Sequence, residues 1–303
     1  MKKSPFPKRA VALLAASLVA LTACGGSSSA SDTTSAPESQ LRIVSLSPTA
    51  TEMLYAIGAG DQVVAVDSLS TYPAEVAPKV TKISAYEPSA EAILGYTPDV
   101  VVISNDMNKI SEQLTAANKS IQVWTGAAAA SLDDVYTQIT ELGELTSRAS
   151  EAEDLIASMK SRISKATVKI PANAELSKPL SYYYELDNTY YSVTSNTFVG
   201  ALLKPLGVTN IADGVEEGND YPQLNAEAIA KANPSIIFLA DTKCCAMNKE
   251  TVAQRAGWSG IDAVKNGNVV ELDDDIASRW GPRVVDLVEQ FANAINTAIS
   301  ASK

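Results

Sequence analysis

The chain has 303 residues, 35 acidic against 24 basic side chains, a formal net charge of −11, three cysteines and no histidine. The missing imidazole excludes Ser-His-Asp and Cys-His triads and histidine-based zinc sites, and the acidic balance without a basic stripe argues against nucleic acid. The length is sufficient for two lobes of ~130 residues each.

The first residues read as an address. Lys2, Lys3, Lys8 and Arg9 form a positive start, and residues 10–23 are apolar apart from Ser17 and Thr22. That run is shorter than the ~20 residues a membrane span needs, so it predicts a secretory signal peptide. It ends in Leu21-Thr22-Ala23-Cys24-Gly25, which resembles a bacterial lipobox. The resemblance implies lipidation: Cys24 would receive a diacylglycerol and become the mature N-terminus on the outer face of the cell membrane, the periplasmic side if a second membrane exists. Two acyl chains suffice for stable anchoring. Residues 24–40 are rich in Ser, Thr, Gly and Ala and predict a flexible tether. Removing residues 1–23 leaves 20 bases against 35 acids, a net charge of −15.

Structure is expected from residue 41 onward. Residues 42–46 predict a β-strand, ended by Ser47-Pro48. Thr49-Ala-Thr-Glu52 reads as a capping box that opens a helix, which stops at Gly58. Gly58-Ala-Gly60 ends a helix and precedes a strand at 63–66, so it reads as a helix cap rather than a dinucleotide loop. Strands follow at 80–84, 100–104 and 121–124, with helices at 89–94 and 110–117. This alternation predicts a mostly parallel sheet flanked by helices. The unbroken apolar run 99–103 suits a strand buried on both faces. Residues 132–166 carry a helical pattern without a strand. The expected domains are a lobe at 41–145, a bridging helix at 146–170 and a second lobe at 171–303. In that second lobe strands are predicted at 180–186, 236–240 and 269–272, and helices at 196–206, 225–232 and 284–299.

A repeat connects the halves. Ala90-Glu-Ala-Ile93 and Ala226-Glu-Ala-Ile229 each place a glutamate seven residues before a proline, Pro98 or Pro234, and a β-run follows each proline. The expected fold is therefore α/β, with two Rossmann-like lobes, mostly parallel sheets, a long bridging α-helix and a ligand cleft between the lobes. Glu91 and Glu227 give matched negative points, one per lobe, suited to a partner with paired basic groups. A first-turn helix-dipole role is the alternative.

Arg42-Ile-Val-Ser-Leu-Ser-Pro-Thr-Ala-Thr-Glu52, Ser89-Ala-Glu-Ala-Ile93 with Pro98-Asp99, and Ser278-Arg-Trp-Gly-Pro-Arg283 resemble the substrate-binding proteins of iron-siderophore, haem and vitamin B12 ABC importers. The resemblance implies a monomeric binding lipoprotein, not an enzyme, which docks on a dimeric permease through Glu91 and Glu227. Loops after the strand ends offer a candidate pocket of Ser47, Tyr72, Tyr86, Asn105 and Trp124 from the first lobe. Tyr190, Tyr191, Lys243, Arg279 and Trp280 come from the second. Tyrosine and tryptophan suit the flat face of a macrocycle, and Arg279 suits a ligand carboxylate or anionic chelate unless a structural ion pair claims it. Vitamin B12 binders carry an aromatic where this chain has Leu69. A ferric siderophore needs no protein ligand to iron and is the preferred cargo, with haem or cobalamin as the other candidates. No covalent cofactor and no metal site are expected.

Cys244-Cys245 reads either as a vicinal disulfide stiffening its loop or as an inert free pair. Two functions from other classes compete. One is a ligand-sensing surface protein without transport. The other is a lipid-anchored carboxylate hydrolase, against which no Gly-x-Ser-x-Gly elbow occurs.

Overall fold

The computed structural model describes residues 40–170 and 178–302. The predicted signal peptide, the expected lipidation site Cys24 and all but the last residue of the tether lie outside the described residues.

The first lobe runs β1 (Ile43–Leu46), α1 (Pro48–Ala56), β2 (Val63–Val66), α2 (Ala90–Leu94), β3 (Val100–Ile103), α3 (Ile110–Ala117), β4 (Gln122–Thr125) and α4 (Leu132–Leu145). The helix α5 (Ala149–Thr167) follows. The second lobe contains β5 (Ser181–Glu185), α6 (Phe198–Leu203), β6 (Thr209–Asn210), α7 (Ala226–Ala232), β7 (Ile236–Leu239), α8 (Lys249–Ala253), α9 (Asp262–Lys265), β8 (Val269–Glu271), α10 (Asp274–Ala277) and α11 (Val284–Ala301). Each lobe holds its own four-stranded sheet, ordered β2-β1-β3-β4 and β6-β5-β7-β8. All strand pairs within them are parallel. The two orders are the same, and the repeated Ala-Glu-Ala-Ile helices, α2 and α7, each lead into the third strand of their sheet, as a duplication requires.

Strand side chains alternate between two buried faces, which is why these strands read as unbroken apolar runs. Ile43, Val100, Val102, Tyr182, Tyr184, Ile236 and Phe238 belong to one core that also takes Met159 of α5 and Phe291 and Ile295 of α11. The opposite faces form two separate cores, Val44, Leu46, Val101 and Ile103 in the first lobe and Tyr183, Ile237 and Leu239 in the second. The lobes therefore share one hydrophobic centre. α5 ties it together: at 1.5 Å per residue it is about 28 Å long, and its Arg162 binds Asp286 and Glu289 of α11.

Three local expectations need correction, and some short elements escaped the sequence pattern. The α1 N-cap is Ser47, with Pro48 at the first helical position, so Glu52 is free of capping and available elsewhere. Residues 80–84 form no strand: Val80 makes one isolated bridge to Val66, and the chain then turns inward to bury Ile83. The long helical stretch is two helices, broken where Ser147 takes φ +58° and the Thr146 hydroxyl donates to the Leu142 carbonyl at 2.6 Å. Gly143 permits the hairpin, because a Cβ there would lie 2.6 Å from the Ala152 methyl. Finally, the short α8, α9 and α10 and the two-residue β6 lack the length to show a period. The predicted helix end at Gly58 holds, with φ +75°.

Candidate functional site

In a parallel sheet every strand C-terminus lies on one edge, and the loops beyond those ends converge there. In this chain the two edges meet. The Arg279 guanidinium, on the segment after β8, donates to the Leu69 carbonyl on the loop after β2 at 3.3 Å. The Trp280 indole N–H donates to Gln138 of α4 at 3.2 Å. The space the loops of both edges face is the candidate site.

The first-lobe edge is partly apolar, with the Asp67 carboxyl among the groups that line its pocket. The Ser47 hydroxyl accepts from the Ala50 N–H and, at 2.7 Å, from the Ser104 hydroxyl. Asp67 is buried, and its Oδ1 accepts the N–H groups of Leu69 and Ser70. Burial pushes its carboxyl above the usual carboxylate range. Leu69, Tyr86, Asn105 and Met107 line a pocket of about 100 Å³ with Pro48 and Ser104. Tyr86 is 66% exposed, and Leu69, Tyr72 and Met107 also face solvent. On the second-lobe edge, Tyr191, Val215 and Tyr221 are the exposed large apolar side chains.

The cations of the rim are paired. Lys243 Nζ lies 2.9 Å from carboxylate oxygens of both Asp273 and Asp275. Arg279 donates to Asp275 at 2.7 Å and to Glu52 of α1 at 3.1 Å. Arg283 makes a bidentate pair with Glu52 at 2.8 and 2.5 Å and covers the Tyr72 ring at 4.0 Å. Glu52, 3% exposed, thus holds two arginines of the other lobe. A larger pocket of about 520 Å³ lies beside this cluster, between α1, α5 and the start of α11. Its Glu52, Arg162, Arg283 and Asp286 are committed to ion pairs.

The sequence-predicted residues separate accordingly. Tyr86, Asn105, Tyr191 and Lys243 stand on the facing edges, whereas Ser47 is 1% exposed and its hydroxyl is committed to capping α1. Arg279 is on those edges too, in the structural ion pair. Tyr72 lies under Arg283 at the side pocket. Trp124 and Trp280 are half-buried against the shared core, and the Trp124 N–H donates to Glu141 at 3.0 Å. Tyr190 turns into the second lobe at φ +73° and packs on Trp258 and Arg255, which removes it from the rim. Sequence reasoning missed Met107, Val215, Tyr221 and the Glu52 and Arg283 pair. Lone apolar residues in polar loops, such as Tyr221 in Asn219-Asp-Tyr-Pro222, were the available signal.

Behind the second edge lies a buried charge cluster. Arg255 holds Glu185 by two bonds of 2.6 Å. Asp241 sits beside them, fully buried, and among the described residues neither carboxyl oxygen makes a hydrogen bond of good geometry. Burial first, and the Glu185 charge second, push its carboxyl up to about 7. Below pH ~4 both folded and unfolded chains keep the proton. As pH rises from there to 7 only the unfolded chain releases it, so stability falls, and above 7 the loss is constant. Asp241→Asn should abolish that slope and gain on the order of 2 kcal/mol over wild type at pH 8. Urea denaturation from pH 4 to 8 checks it; parallel curves for the two proteins would refute it.

Two similar sheets, a shared core, a bridging helix and facing loop edges define a two-lobed ligand-binding protein. Residues 43–276 match the periplasmic binding protein family, and the chain belongs to it. An ABC transporter substrate-binding lipoprotein of Bacillus subtilis is 33% identical over 258 residues, covering 84% of this chain and 79% of that one. A cobalamin-binding protein of Halobacterium salinarum is 31% identical over 265 residues, covering 85% and 70%. In fold, the chain is similar to the periplasmic haem-binding protein HutB of Vibrio cholerae, with TM-score 0.73, 21% identity and coverage of 84% and 98%.

Proposed function

We propose that the cleft captures a corrinoid of the cobalamin type, as the substrate-binding component of an ABC importer, and releases it chemically unchanged. One observation carries the choice of ligand: the rim cations Lys243, Arg279 and Arg283 are already neutralised by Asp273, Asp275 and Glu52. A ferric siderophore, the cargo the sequence alone favoured, would have to displace those carboxylates wherever its chelate is strongly anionic, and the two propionates of haem face the same obstacle. A corrin ring fringed with neutral amides needs flat apolar contact and neutral hydrogen-bond partners. Leu69, Tyr86, Met107, Tyr191 and Tyr221 supply the first, and Ser104 and Asn105 the second. The relative named for cobalamin supports the same reading.

Calorimetric titration of the purified protein with cyanocobalamin, haemin and an anionic ferric tris-catecholate siderophore is the test. Saturable one-to-one binding is expected for cyanocobalamin, at least ~100-fold tighter than for the others, a gap of ~2.7 kcal/mol. Preferred binding of the siderophore or haemin would overturn the assignment.

Lipid on Cys24 holds the protein at the outer face of the membrane, and a monomer docks on the paired permease subunits through Glu91 and Glu227. Helices joining parallel strands run back against them, so the first turns of α2 and α7 lie on the same edges as the cleft. Ser89 and Asn225 cap those turns. Both glutamates are exposed, and each stands in the first turn of its helix.

A further inference from the structure

The turn after β7 holds a second chemistry that ligand capture does not use. The Cys244 and Cys245 sulfurs lie 2.8 Å apart as free thiols, Cys244 exposed and Cys245 half-buried. Their backbone is fixed from both sides. The Asp274 carboxylate accepts the N–H groups of Lys243 and Cys244 at 3.0 and 2.9 Å and the Thr242 hydroxyl at 2.9 Å. The Asp241 carbonyl accepts the N–H groups of Cys245 and Met247, and Ala246 takes φ +54°. The Lys243 ammonium, through Asp273 and Asp275, ties the turn to the segment that crosses to the first lobe at Arg279. Neighbouring sulfurs are thus held together before any bond joins them, so closing the bond orders little further backbone.

We propose that Cys244 and Cys245 are a thiol–disulfide exchange site that takes an external low-molecular-weight disulfide as its oxidant and closes to a vicinal disulfide on the rim of the second lobe. One cysteine sulfur, as thiolate, attacks the external disulfide and forms a mixed disulfide, and the first external thiolate leaves. The neighbouring sulfur attacks the mixed disulfide, the Cys244–Cys245 bond forms, and the second external thiolate leaves. Two cysteine thiols are oxidised to one cystine, the external disulfide is reduced to two thiols, and the two S–H protons pass to those thiols. The surroundings favour the closed form. The hydrogen bond with Cys245 and burial hold the Cys244 thiol up at about 12, and Asp241 and Asp274 oppose further negative charge there. The cystine carries none. The site is independent of which ligand fills the cleft.

The experiment uses reduced, purified protein equilibrated over a series of oxidised-to-reduced glutathione ratios, quenched with iodoacetamide and digested with trypsin. The peptide from Cys244 to Lys249 carries both cysteines. With oxidised glutathione in excess, both labels should disappear together, no glutathione should remain attached, and reduction should restore two labels. Cys245→Ser removes one of the two sulfurs needed to close the bond, so that variant should retain one glutathione on Cys244. Wild-type protein that keeps both labels, or that accumulates a stable glutathione adduct, would overturn the assignment. So would a Cys245→Ser variant whose Cys244 takes up no glutathione.

Discussion

Glu52→Ala should cost roughly 3–5 kcal/mol of unfolding free energy, because it strands charge in the shared interior of the two lobes. The Glu52 carboxylate meets two guanidiniums, 14% and 16% exposed, that arrive from 227 and 231 residues further along the chain. Without it, Arg279 keeps Asp275 and the Leu69 carbonyl. Among the described residues, Arg283 keeps the face of Tyr72 and a weaker attraction to Asp273. Most of the loss therefore falls on Arg283. Glu52→Gln retains the shape and an acceptor and should cost less than the alanine variant. Removing charge from both partners, Glu52→Leu with Arg283→Leu, should be milder than Glu52→Ala alone, since a missing pair costs less than a half-pair. Urea denaturation measures all three. A Glu52→Ala loss under ~1 kcal/mol would show that the cluster does not hold the lobes together.

That cluster also marks what a single sequence conveys. Elements set by local rules were legible. Ser89 and Asn225 cap their helices, Gly58 ends one, and buried parallel strands read as apolar runs because both faces face a core. The duplication was legible because a glutamate, a proline and a strand recur at one spacing, and the two sheets have one strand order. Long-range pairing was not legible. Nothing near Glu52 says that its carboxylate is claimed by Arg279 and Arg283, and a first-turn glutamate after Thr49 satisfies the capping-box pattern equally well. The same blindness affected the pocket. Tyr190 and Tyr191 are adjacent and chemically alike, yet a positive φ at Tyr190 sends its ring to Trp258 and leaves Tyr191 on the rim. Arg279 had the right chemistry for an anionic ligand, but its charge was already spent across the lobe junction, and that pairing moved the ligand proposal from a siderophore to a neutral macrocycle.

Reversing both Glu91 and Glu227 to lysine should reduce ligand uptake by at least ~100-fold while changing ligand affinity less than about twofold. Each glutamate is exposed on the first turn of its helix, where its ordinary contribution to the helix dipole is only ~0.3–1 kcal/mol, so the fold tolerates the change. At an interface with basic permease residues, each reversal replaces attraction by like-charge contact, and disrupting such a pair costs ~2–5 kcal/mol. Two such losses exceed the ~2.7 kcal/mol that a hundredfold represents. Arginine is the expected permease partner, because its planar fork matches a carboxylate. Either single variant should be intermediate, because one lobe still docks. The measurement pairs radiolabelled cobalamin uptake in cells with calorimetry on the purified variant. Uptake that survives the double reversal would reduce the repeated glutamates to helix-end charges, whereas lost affinity in the purified variant would place them in the ligand site. Only the combination of failed delivery and intact capture assigns them to the permease.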